Sequence, residues 1–152
     1  MPTRRDTLKQ GLLVAGLLAG TGLFPGQALA AYNNRAFEAK GWDAALKALG
    51  SNLPTESKDI TLQGPDIAEN GAQVALSVAT TLSGVKRLLV LVDKNPAALV
   101  ALVEVGPDIE PSFMLRAKMN ESSAVYAVAL MNDGRALFAR KDIQVTQGGC
   151  GN

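Results

Sequence analysis

The sequence predicts a mainly β protein: an immunoglobulin-like antiparallel β-sandwich with one N-terminal helix and a flexible C-terminal arm. A single amphipathic stretch near residue 40 predicts the helix, and seven or eight short apolar segments after it predict the sheets. Turn-forming dipeptides separate these segments at intervals of about a dozen residues. No long helical pattern alternates with the strands, which argues against a parallel α/β sheet.

The predicted helix covers residues 36–49. Trp42, Leu46 and Leu49 recur at helical spacing and form one apolar face. Gly50 follows as a natural C-terminal stop, whereas Gly41 lies inside the pattern and weakens it.

The pattern changes to that of strands after Pro54. The predicted strands cover residues 58–63, 73–80, 86–92, 99–105, 112–119, 124–131, 135–139 and 142–146. The run at 86–92 is apolar almost throughout, which indicates a strand covered on both faces. The Asn-Asp-Gly sequence at 132–134 predicts a hairpin between its two neighbours.

The first thirty residues predict an export signal. Arg4 and Arg5 precede a mildly apolar, glycine-interrupted stretch at residues 11–24, and Ala28-Leu-Ala30 closes the segment. The apolar stretch falls short of the roughly 20 residues that a membrane span needs, although an uncleaved N-terminal anchor is the alternative. We therefore assign residues 1–30 to a twin-arginine signal peptide, and expect a periplasmic protein without stable membrane association.

Two further segments complete the predicted organisation. Residues 31–146 would form the helix and the β-sandwich, and residues 147–152 a glycine-rich swinging arm that carries Cys150. The chain has 152 residues, which suits one folded domain.

Composition excludes several classes of function. The chain contains no histidine, so neither a Ser-His-Asp nor a Cys-His site can form within it, and zinc or copper sites built from histidine are excluded too. We expect no catalytic residue, no metal and no cofactor. The formal net charge is +1 and no basic cluster is present, which argues against a nucleic-acid partner. Asp66 and Glu69 lie three residues apart, but we interpret them as part of a turn.

The candidate functional residue is Cys150, the one cysteine of the chain. Exported proteins fold in an oxidising compartment, where an odd cysteine indicates an intermolecular bond or a free, reactive thiol. Gly148, Gly149 and Gly151 surround it and make the segment thin and pliant. Four extended residues beyond Thr146 carry the sulfur roughly 13–15 Å past the last strand, far enough to enter a narrow pocket of another protein.

Three functions remain open for such a thiol. The first is a carrier that holds covalent cargo on Cys150 and needs another protein to activate the sulfur, because no basic residue lies near it in the tail. The second is an interaction module that is disulfide-linked through Cys150. The third is a sulfurtransferase with Cys150 as its nucleophile, which would turn over without partners.

Four stretches carry a resemblance to a known family: residues 65–71 (Pro-Asp-Ile-Ala-Glu-Asn-Gly), 94–96 (Lys-Asn-Pro), 145–151 (Val-Thr-Gln-Gly-Gly-Cys-Gly) and, more loosely, 116–119. With them the chain resembles the SoxY family, the sulfur-compound carriers of bacterial thiosulfate oxidation, over essentially its whole length. The family tail normally ends in Gly-Gly-Cys-Gly-Gly, whereas Asn152 stands last here.

The resemblance implies a role for Cys150 and a set of partners. Cys150 would be the covalent attachment site: a haem-containing partner couples thiosulfate to it oxidatively, and a manganese-dependent partner then hydrolyses the adduct and releases sulfate. The carrier would pair with a second immunoglobulin-like subunit, SoxZ, as a heterodimer. It would itself be no enzyme and would bind no cofactor.

Overall fold

The computed structural model describes residues 34–147, so residues 1–33, which include the predicted export signal, and residues 148–152 lie outside the described part. Strands make up nearly half of this part, and helices far less. Its elements are helix α1 (Trp42–Ala48) and strands β1 (Thr55–Glu56), β2 (Ile60–Gln63), β3 (Ile67–Ala68), β4 (Val74–Thr80), β5 (Val85–Val92), β6 (Leu99–Glu104), β7 (Ser112–Ala117), β8 (Ser123–Met131) and β9 (Ala136–Val145).

The strands form two sheets. The large sheet has the order β1-β9-β8-β5-β6, with β3 also paired to β9, and the small sheet has the order β2-β4-β7. All pairings are antiparallel except those of β1 and β3, which both run parallel to β9. The predicted mainly β, sandwich-like architecture is confirmed.

Alternation of side chains explains the first core, between the two sheets. In β4, Val74, Leu76 and Val78 are buried while Ala75 faces water. They meet Leu88, Val90 and Val92 from β5 and Val125, Ala127 and Ala129 from β8. Burial of this apolar surface is the main force that holds the sheets together.

A second core covers the opposite face of the large sheet. Leu46 and Leu49 of the helical region pack with Leu89 and Leu91, the β5 residues that point away from the small sheet. Every residue from Leu88 to Val92 is therefore fully buried, which is why this stretch of the sequence is continuously apolar.

The helical region is in two parts rather than the single helix expected over 36–49. Residues 34–38 are helical, the chain then breaks, and α1 begins at Trp42. Gly41 causes the break because its φ of 81° lies outside the helical range, and the Trp42 amide donates to Asp93 Oδ1 at 3.2 Å instead of to a helical carbonyl. The apolar face is as expected: Leu46 and Leu49 are buried, and the Trp42 ring stacks on Tyr126 at 4.4 Å between centroids.

Two features of the sheets differ from the sequence prediction. The segments expected at 135–139 and 142–146 form one strand, β9, whose polar stretch Arg140–Asp142 stays paired with β8 while its side chains meet solvent. Strands β1 and β3 were not predicted, because two residues are too few to show a period.

Within residues 34–147, no helix is long and apolar enough to span a membrane.

Candidate functional site

The predicted site residues, Cys150 with Gly148, Gly149 and Gly151, lie outside the described residues. The structure describes the chain up to Gln147, two residues beyond the end of β9. It therefore shows the base from which the predicted arm leaves the sandwich. The surroundings of that base are the site that the structure describes.

The base of the arm is held by hydrogen bonds to the segment 64–71. The Thr146 amide donates to the Ala68 carbonyl at 3.0 Å, and the Thr146 hydroxyl donates to the Glu69 carbonyl at 3.0 Å. The Gly71 amide donates to the Gln147 carbonyl at 2.8 Å. These three hydrogen bonds fix the chain as far as Gln147.

Segment 64–71 is itself fixed on both sides. Ile67 and Ala68 form β3 and pair with the last residues of β9, and the Gly71 carbonyl accepts from the Met119 amide at 2.7 Å. The Asn70 side chain accepts from the Ala72 amide at 2.8 Å, which closes a tight turn before β4. The segment thus connects the base of the arm to the end of β7.

Asp66 in this segment is ion-paired. Lys141 Nζ donates to Asp66 Oδ1 at 2.5 Å, and this hydrogen bond together with the lysine charge lowers the pKa of Asp66. The carboxylate is largely exposed, so solvent screens the pair. An ionised, paired and solvated carboxylate does not suit proton transfer at neutral pH.

Asn95 connects two loops at the same end of the sandwich by hydrogen bonds of its side chain. Its Nδ2 donates to the Lys118 carbonyl at 2.6 Å, and its Oδ1 accepts from the Asn120 amide at 3.2 Å. The turn after β5 is thereby tied to the loop before β8. The sequence offers one signal for this role, an asparagine directly before a proline, because asparagine side chains readily hydrogen-bond to the backbone at turns.

The four stretches that carry the family resemblance therefore converge. Residues 65–71, 94–96, 116–119 and the arm base from 145 onward all lie at one end of the sandwich, linked through Gly71, Met119 and Asn95. Residues far apart in the sequence thus build one platform under the arm.

Three exposed cations belong to this platform, which also carries two exposed carboxylates, Asp66 and Glu69. Lys94, Arg116 and Lys118 are exposed, and none of them forms an ion pair with another residue of the range 34–147. Arg116 Nη1 donates to the neutral Gln73 Oε1 at 3.1 Å, which orients the guanidinium without neutralising it. Within the described residues, no group of three or more acidic, histidine or cysteine side chains could hold a metal ion.

The fold and the platform define a class: an immunoglobulin-like sandwich with a short C-terminal extension anchored at one end. The family of the sulfur oxidation protein SoxY matches residues 45–150, a range that reaches the cysteine itself. A solved structure, the sulfur carrier protein SoxY from Chlorobium limicola f thiosulfatophilum, is 32% identical with a TM-score of 0.62, and the match covers 68% of this chain and 94% of that one. This chain belongs to the SoxY family, whose members are sulfur carriers rather than enzymes, as the resemblance implied.

More distant structures support the fold alone. The superoxide reductase (neelaredoxin) of Ignicoccus hospitalis is 17% identical with a TM-score of 0.50, and the match covers 57% of this chain and 79% of that one. A putative superoxide reductase from Thermotoga maritima is 14% identical at a TM-score of 0.50, over 62% of this chain and 89% of that one. A search of curated proteins found no match.

Proposed function

We propose that this chain is a periplasmic carrier that holds thiosulfate-derived sulfur intermediates covalently on Cys150 and presents them to partner enzymes. The observation that carries the proposal is the family match, which extends to residue 150 and so includes the only cysteine. An anchored base with five residues beyond it supports the proposal, because a thiol on a short tether can enter an enzyme pocket while the sandwich stays outside.

The proposed chemistry takes place on Cys150 and its adduct in two steps. In the first, the Cys150 thiol and thiosulfate (S₂O₃²⁻) form Cys-S-S-SO₃⁻, with release of one proton and two electrons to a haem-containing partner. In the second, water attacks the terminal sulfur of the adduct at a manganese-dependent partner, which leaves a persulfide, Cys-S-S⁻, and releases sulfate and two protons. The carrier contributes the thiol and its presentation, and the partners contribute the oxidant and the activated water.

The route to the compartment and the partner subunit are part of the same proposal. Residues 1–30 would direct export through the twin-arginine route, which moves folded proteins and would allow co-export with a SoxZ-like subunit as a heterodimer. The exposed cations Lys94, Arg116 and Lys118 would favour anionic sulfur compounds in their neighbourhood.

Intact-mass spectrometry tests the proposal. The mature chain, alone and with its SoxZ-like subunit, is incubated with thiosulfate and the oxidising partner, and Cys150→Ser is the matched control. We expect a mass gain of one S₂O₃ group on the cysteine-containing chain and none on the serine variant. No gain on the parent chain, or an equal gain on Cys150→Ser, would rule the carrier function out.

A further inference from the structure

A groove with a volume of about 620 Å³ lies on the small sheet. Ala75, Leu76 and Ser77 of β4 form its floor. Residues 63–65 form one wall, and residues 114–116 of β7 form the other. Most of the lining is small or apolar, so the groove can take a thin chain of low polarity.

The groove exists because β2 leaves β4 early. The two strands pair from Ile60 to Gln63, and the chain then turns away at Gly64 to run beside β9 as β3. Residues 74–76 of β4 therefore have a strand neighbour on the β7 side alone. Unpaired strand edges readily accept an extended segment as an added strand.

We propose that the part of the C-terminal arm beyond Gln147, residues 148–152, docks in this groove between transfers and shelters the sulfur on Cys150. The inference rests on the proposed function, since it assigns a resting place to the loaded arm. The arm begins beside the correct end of the groove: Gln147 is hydrogen-bonded to Gly71, which lies three residues before Val74. Five extended residues span about 16–18 Å, whereas the three unpaired residues of β4 span about 10 Å.

The shape of the groove suits this occupant. Met114 stands opposite Ser77 in the ladder and is 82% exposed, so it offers an uncovered apolar wall. Glycines at 148, 149 and 151 bring no side chains that would collide with this wall. A tethered segment also competes well with a separate partner, because its effective concentration at the groove is about 1 mM or more.

The charge of the groove suits a loaded arm. Arg116 stands opposite Ala75, and its guanidinium has no acidic partner within the described part of the chain. A thiosulfonate on Cys150 ends in a sulfonate, whose oxygens can accept the paired hydrogen bonds that guanidinium groups give to carboxylates and phosphates. Arg116 should therefore favour the docked state of the adduct.

Hydrogen exchange tests whether the arm occupies the groove. The mature chain is compared with the same chain lacking residues 148–152, and we expect amides in the 74–76 segment to exchange at least about fivefold more slowly in the full chain. Ala75→Phe fills the groove and should abolish this difference. Ala79→Phe, on the same strand and face but outside the groove, should preserve it.

Three results would overturn the docking. They are equal exchange in the full and shortened chains, protection that survives Ala75→Phe, and protection that arises only when a partner protein is added. The last result would assign the groove to a segment of that partner.

Removal of a preformed adduct tests Arg116. Tetrathionate (S₄O₆²⁻) loads the thiolate without any enzyme, since Cys-S⁻ attacks its central S–S bond and releases thiosulfate to give Cys-S-S-SO₃⁻. A small thiol then removes the adduct, and only the undocked arm reacts with it. If two-thirds of the loaded arms are docked, removal is about threefold slower than from an arm that is always undocked. We expect this slowing to be lost in Arg116→Gln and kept in Lys58→Gln, a matched change of an exposed cation outside the groove.

Equal removal rates in the parent chain and Arg116→Gln would refute the assignment of Arg116. This outcome is distinct from failure of the carrier function. An enzyme-loaded adduct on Cys150 that is nonetheless unprotected would overturn only the docking, whereas absence of any enzyme-loaded adduct would overturn the proposed function.

Discussion

Gly64 is the residue at which β2 turns away from the small sheet, and its replacement by alanine should be costly. A methyl group built on Gly64 would lie 2.8 Å from Leu76 Cδ2 and 3.3 Å from Ile143 Cδ1. Both neighbours are fully buried, so neither can swing into solvent to make room. Overpacking of this kind typically destabilises a core by about 1–3 kcal/mol.

A second glycine provides the matched control. At Gly106 the added methyl group would lie 3.3 Å from Ile109 Cδ1, but that side chain is 57% exposed and can move. Neither glycine has a left-handed backbone conformation, so both substitutions stiffen the unfolded chain to a similar extent. The difference between the two variants therefore isolates the packing around Leu76.

Urea unfolding of the mature chain measures this difference. We expect Gly64→Ala to lower the free energy of unfolding by about 1–3 kcal/mol and Gly106→Ala to change it by less than about 0.5 kcal/mol, with the same dependence on urea. Equal stability of the two variants would show that the core around Leu76 and Ile143 yields easily, and would refute the reasoning.

Three other predictions concern the platform and the export signal. Asn95→Ala should lower the free energy of unfolding by about 1–3 kcal/mol, measured by urea unfolding, because a carbonyl and an amide lose their partner. Lys141→Gln should remove the stabilisation that comes from the lowered pKa of Asp66. This stabilisation is present above the pKa that Asp66 has in the unfolded chain and is lost as the pH falls through its pKa in the folded chain. The acid-unfolding curves of the parent chain and of Lys141→Gln should therefore differ near neutrality and converge at low pH. Replacement of Arg4 and Arg5 by lysine should leave the chain in the cytoplasm on cell fractionation, and unchanged export would contradict the twin-arginine assignment.

Much of the fold could be predicted because it follows from local patterns. The alternation in β4 and the apolar run of β5 identify one strand with a solvent face and one without. In the sequence, Gly41 only weakened the predicted helix and did not show that the helix breaks there, since the φ angle of a glycine cannot be read from its sequence context. Strands β1 and β3 escaped prediction because their partner, β9, lies some 80 residues away in the sequence.

The candidate site, too, could be predicted from the sequence only in part. A lone cysteine among glycines is evident in the sequence, because composition alone makes it unusual. The platform is not evident, since it depends on Gly71, Asn95 and Met119 meeting across the end of the sandwich through backbone and amide hydrogen bonds. Such bonds between distant residues leave no periodic trace in the sequence.

The helical region has a consequence for how this chain can assemble. Because residues 34–48 cover the outer face of β5, β8 and β9, the broadest sheet has no uncovered central surface to offer another protein. Among the described strands, accessible surfaces include the outer face of the small sheet, where Ala75 and Met114 are exposed, and the free edge of β6. A second subunit can therefore approach over the small sheet or along the β6 edge, and an approach over the small sheet, which carries the groove, would bring that neighbour close to the arm and its sulfur.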